Sequence, residues 1–86
     1  MRRAELKKIL ENNPEKSKAY YVQYPTLHRD LMLWEDYLQR IEQNREAGFR
    51  AAKNNARYEI LDAWRIGENT FYLIKRTLSD LCEDVE

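Results

Sequence analysis

The sequence has few of the residues that build catalytic and metal sites, and few that break helices. It holds one cysteine, Cys82, and one histidine, His28. A single thiol cannot close a bridge within the chain, so no disulfide framework is expected and a reducing, cytoplasmic setting is. Structural zinc normally takes four ligands, more than these two side chains supply, so no metal or other cofactor is expected. With two glycines there is little material for a phosphate-cradling loop, and no G-x-x-x-x-G-K-[ST] run occurs. Two glycines and two prolines in 86 residues leave long stretches without a breaker, which favours helices throughout. Charges interrupt every apolar run well short of the ~20 residues of a membrane span. The opening MRRAELKKIL has charges where a signal peptide would need an apolar segment, so no leader and no membrane partner are expected.

Neither sign of charge dominates. Fifteen basic and fifteen acidic residues cancel, which argues against a strongly basic nucleic-acid binder. The distribution is uneven, however. Between Arg45 and Arg76 seven basic residues face four acids, and from Asp80 onward the chain is purely acidic through Glu83, Asp84 and Glu86. A basic patch beside an acidic tail is compatible with this pattern. Eighty-six residues make one domain with a modest core. Two Trp, six Tyr and two Phe, with periodic apolar residues, argue against disorder.

The fold class expected is all-α, with four or five helices around a long central amphipathic one. Leu6, Ile9 and Leu10 give a narrow stripe to a first helix over 2–12. Asn12, Asn13 and Pro14 end it, and Pro14 suits the first turn of a second. The AYYVQY stretch is ambiguous between helix and strand, although one short strand would have no partner. Pro25 and Thr26 mark a new start, with Thr26 placed to accept a first-turn N–H. Leu27, Leu31, Trp34, Leu38 and Ile41 then recur at spacings of four and three, one continuous stripe along a helix. Gly48 marks a break. A further helix takes Phe49, Ala52, Ala56, Ile60, Ala63 and Trp64 inward. The last places Phe71, Ile74, Leu78 and Leu81 on one side. The single domain divides into an N-terminal helical part, 1–46, and a helix-turn-helix-like part, 49–83.

No catalytic constellation is present, and the chain is expected not to be an enzyme. His28 has no Ser or Cys near it in sequence. Glu35–Asp36 and Glu83–Asp84 are adjacent pairs that do not share a helix face. Acidic neighbours raise the pKa of Cys82, which disfavours an activated thiol. Tyr20, Tyr21 and Tyr24 could stack on bases, but tyrosines near a helix end more often bury their rings in a small core.

One segment carries a mechanism. In EILDAWRIGENTFYLIKRTL, residues 59–78, Ile60, Leu61 and Trp64 are inner positions of a first helix. Arg65, Ile66 and Gly67 form a turn, and Phe71, Ile74 and Leu78 are inner positions of a second helix. A helix so placed can lie in a DNA major groove. This segment resembles the helix-turn-helix of the sigma-factor region-four type, and within that group the small phage late-gene activators of the ArpU kind. NTFYLIKR is similar to their run of Thr, an aromatic, Ile or Leu, and Lys-Arg. The resemblance covers about twenty residues. It implies a transcription regulator that binds double-stranded DNA, with a helical part before the DNA-binding end. Arg65 stands where the family places a turn glycine, Gly67 where it places a capping Ser or Thr, and Glu68 and Leu73 are on the presumed DNA side.

On that reading Asn69, Thr70, Tyr72 and Arg76 face the groove, where Asn pairs with adenine and Arg with guanine. Arg65, Lys75 and Arg57 touch phosphates. The alternative is a small helical inhibitor or adaptor that docks on a protein through Leu27, Leu31, Trp34, Leu38 and Ile41. A short chain tends to leave part of so long a stripe open, and a two-fold homodimer is the commonest cover.

Overall fold

Asn13 and Pro14 separate the first two helices, each for its own reason. Proline has no N–H to lose in the first turn of a helix. Asn13 Oδ1 accepts a hydrogen bond from Lys16 N at 3.1 Å, satisfying one of the donors that a helix start leaves free. The computed structural model, which describes residues 1–85, has five helices: α1 (Arg3–Asn12), α2 (Pro14–Gln23), α3 (Leu27–Glu46), α4 (Ala52–Ala63) and α5 (Glu68–Leu81). Glu86, the last acid of the tail, lies outside the described residues. The YYV stretch is helical, at the end of α2, and no strand occurs among the described residues. Among the described residues no helix is long and apolar enough to cross a membrane.

Thr26 does not cap α3 with its side chain. Its hydroxyl instead donates to Asp30 Oδ2 at 3.2 Å, and Arg29 donates to Asp30 Oδ1. Asp30 is buried, and an acid there must collect donors. Thr26 is one of them, which explains the difference from the expected cap.

The ends of α3 and α4 share one device. After α3, Phe49 N bonds back to Asn44 O and Gly48 N to Arg45 O, with Gly48 at φ +83°. After α4, Ile66 N bonds to Leu61 O and Arg65 N to Asp62 O, with Arg65 at φ +52°. Both are Schellman turns, which place one left-handed residue just past the helix. Glycine fills that position after α3 and arginine fills it after α4.

The long α3 is the platform. α4 packs along it, α5 lies against it, and α1 pairs with α2. Leu27, Leu31, Leu33 and Trp34 of α3 are buried with Leu6 of α1, Ile60 of α4 and Phe71, Ile74 and Leu78 of α5. Cys82 and Val85 close this core beneath the C-terminus. A smaller cluster of Ile41, Ala52 and Ala56 continues it, with Tyr37 and Leu38 packed against both.

Three expectations change here. The stripe of Leu27, Leu31, Trp34, Leu38 and Ile41 is not an open face. Four of its members are buried and Leu38 is half-buried, all within one chain. Leu6, Ile60 and α5 cover the stripe, with Ala52 and Ala56 beside Ile41. Phe49 is 54% exposed instead of internal, because the Schellman turn puts it in the loop and α4 begins only at Ala52. Ala63 is likewise exposed at the end of α4.

The termini are clasped together. Asp84 Oδ1 accepts from Arg3 N at 2.9 Å and Oδ2 from Arg3 Nε at 3.3 Å, while Glu83 N donates to Met1 O. Burial would raise the Asp84 carboxyl, but the backbone bond from Arg3 and the Arg3 charge outweigh it and hold the group below its ordinary value. Burial, with help from Asp84, pushes the Cys82 thiol up.

Candidate nucleic-acid interface

α5 is anchored on its inner side. Phe71 is 2% exposed, with its ring centroid 5.2 Å from Tyr37 and 6.0 Å from Trp34, both on α3. Ile74 and Leu78 extend this contact by one and two turns. Trp64, an inner position of the sequence pattern, packs half-buried against the same core. Its indole N–H donates to Asp36 of α3.

On the outer side Asn69, Tyr72, Leu73 and Arg76 are exposed. Spacings of three and four put them on neighbouring positions of one helix surface. Residues 69–76 include no acid and carry Lys75 and Arg76. Glu68 lies just before this span and Asp80 one turn beyond it.

The other expected site residues are spread around this face. Thr70 is half-buried in a shallow groove where Leu73 and Thr77 meet Thr26 and Arg29 at the α2–α3 corner. Lys75 is half-buried on the opposite flank, in a groove of about 510 Å³ that also takes in Tyr37, Leu38, Arg45 and Asp84. Arg65 is exposed in the turn before α5. Its left-handed backbone occupies the position where the family resembled has a glycine.

Arg57 departs most from expectation. It is not an open phosphate contact. Its Nη1 donates to Tyr72 Oη at 2.7 Å and approaches Glu68 Oε1 at 3.3 Å. The guanidinium carbon lies 4.9 Å from the Tyr58 ring centroid and 5.9 Å from that of Tyr72. Arg57 Nε is buried with no hydrogen-bond partner among the described residues. The cation is therefore spent on the flank of α5, where it neutralises Glu68. Burial pushes the nearby Tyr37 phenol up, against an opposing pull from the Arg57 charge.

Two contributions were not visible in the residue pattern. Tyr58 stacks on Arg57, across adjacent positions that a helix ordinarily keeps apart. Asn44 is buried, and its Nδ2 donates to Glu59 Oε2 at 2.8 Å and Ala52 O at 3.3 Å, tying α3 to the start of α4. The only sequence signal for Asn44 is its place three residues after Ile41, in register with the stripe.

Among the described residues no group of three or more His, Cys, Asp or Glu side chains is placed to hold a metal ion. His28 is exposed. No family model matches the chain, and neither the curated proteins nor the solved structures include a match to it.

Proposed function

We propose that the chain binds double-stranded DNA through α5 and acts as a transcription regulator of the small phage type that its C-terminal segment resembles. The observation that carries this reading is the outer face of α5. It offers an amide, a phenol, an aliphatic group and a guanidinium in register, free of acid over 69–76, on a helix fixed to α3 by Phe71, Ile74 and Leu78. In a major groove, Asn69 would meet adenine, Arg76 guanine, and Leu73 the thymine methyl group. Arg65 and Lys75 flank these positions and would hold phosphates.

The rival reading, an inhibitor or adaptor docking through the α3 stripe, needs that stripe open. Its side chains form the chain's own core, which favours the DNA reading over it. The experiment is duplex binding by fluorescence anisotropy across a salt series. The expected result is a linear fall of log K with log salt. A protein with no salt-sensitive affinity for any duplex would overturn the proposal.

A further inference from the structure

We infer that Arg57 is a positioning residue that makes the Tyr72 hydroxyl a hydrogen-bond donor toward DNA, so that α5 selects against cytosine at one position of its site. The inference rests on the DNA-binding reading and specifies how one contact of that reading discriminates.

A phenol oxygen has one proton and, in the plane of its ring, one good acceptor direction. Arg57 Nη1 occupies the acceptor direction at 2.7 Å. A guanidinium has only donors, so the Tyr72 proton cannot point back at it. The proton must turn away from Arg57. Tyr72 is 49% exposed on the edge of the outer face, so the way it turns is toward solvent or a ligand. A free tyrosine can donate or accept and therefore tolerates any base edge. A tyrosine held in this way meets a base as a donor. In the major groove guanine offers O6 and N7, adenine N7 and thymine O4 as acceptors, whereas cytosine presents its N4 amino donor. Cytosine is the one base that this hydroxyl opposes.

The surroundings keep Arg57 in place. Glu68 accepts from the same Nη1, the Tyr58 ring lies 4.9 Å from the guanidinium carbon, and the Phe71 ring contacts Tyr72 edge-on at 5.6 Å between centroids. The Arg57 side chain is 17% exposed, which leaves it little reach toward a phosphate.

The test is selection from a pool of duplexes with a randomised core, followed by sequencing of the bound fraction. Wild type should enrich a motif with cytosine depleted at one position. Tyr72→Phe, which keeps the ring, should lose that depletion and keep the rest of the motif. Arg57→Met should lose it too, with the slope of log K against log salt unchanged. Arg57→Lys, which restores a donor, should recover it. A wild-type motif that Tyr72→Phe leaves intact overturns this assignment alone. A salt slope that drops by about one in Arg57→Met also overturns it, since that is the mark of a phosphate contact. A wild type that enriches no motif and binds no duplex overturns the DNA reading and this inference with it.

Discussion

The indole N–H of Trp64 donates to Asp36 Oδ2 at 2.9 Å, joining the end of α4 to the middle of α3 immediately before the turn into α5. Asp36 Oδ1 accepts from Arg40 at 3.0 Å, so the carboxylate is held from both sides. The orientation of the turn thus depends on a charge-assisted bond as well as on apolar packing. Trp64→Phe removes the donor and keeps most of the ring, and should lower stability by about 1–3 kcal/mol. Asp36→Asn keeps an acceptor and should cost less. Urea unfolding midpoints compare the two; a Trp64→Phe midpoint equal to wild type would remove the bond from the account of the fold.

Arg65 sits at φ +52°, where a side chain with a Cβ costs roughly 1–2 kcal/mol. Glycine relieves that strain, although it gives the unfolded chain more freedom. Arg65→Gly should therefore stabilise the protein by about 0.5–1 kcal/mol. If Arg65 also holds a phosphate, the same variant should bind DNA more weakly. Stability rising while affinity falls separates the two roles, and a fall in both would mean that the turn conformation is unstrained.

The Asp84 clasp makes stability depend on pH at the acid end. The folded carboxyl lies below its ordinary value, so the unfolded chain binds the proton more readily. The contribution is fully present above the unfolded value of about 3.9 and is lost as pH falls through the lower folded value. Asp84→Asn should be less stable at neutral pH and show a shallower loss of stability as pH falls below about 4. Parallel acid titrations of both proteins by circular dichroism check this; superimposable curves would show that the clasp does not contribute.

Much of the architecture could be read from spacing and breakers. The α3 stripe at spacings of four and three, the Asn13–Pro14 break and Gly48 each correspond to a feature of the fold. What stayed hidden depends on tertiary neighbours. Leu33 is fully buried although it lies off the stripe, because α3 is covered on more than one side. Phe49 reads as an inner residue until the left-handed Gly48 is known to direct it into a loop. Arg57 reads as an open cation, yet Tyr72, fifteen residues away, accepts its hydrogen bond and Glu68 pairs with its charge. At the candidate site, the outward positions of Asn69, Tyr72 and Arg76 followed from the helix period, whereas the pairing that restrains Tyr72 did not.

Arg76 and Lys75 are adjacent but face different surroundings. Arg76 is exposed on the outer face, and Lys75 is half-buried in the groove beside Tyr37 and Leu38. Under the proposed function, Arg76→Ala should alter base preference at one position, at a cost of about 1–3 kcal/mol in discrimination. Lys75→Ala should weaken binding evenly across sequences and lower the salt slope by about one. Anisotropy titrations on matched and mismatched duplexes distinguish these outcomes. Equal effects of both variants on all sequences would reduce α5 to a non-specific contact.

Leu31 tests what the α3 stripe is for. The five apolar groups from Leu27 to Ile41 are more than a short chain usually covers, which is why a partner molecule was expected. Leu31 is 6% exposed and belongs to a core built from α1, α3, α4 and α5 of one chain. A carboxylate at this position would be buried without a partner, and an unpaired buried charge is among the few single changes that cost more than about 4 kcal/mol. A domain of this size has little stability to spare. Leu31→Asp should therefore unfold the chain. Had the stripe been an interface between folded subunits, the same substitution would have dissociated them and left the helices intact. Circular dichroism and sedimentation velocity, run together at micromolar concentration, separate the two outcomes. Loss of the helical signal supports the buried stripe; a fully helical variant that merely sediments more slowly than wild type would return the stripe to the surface.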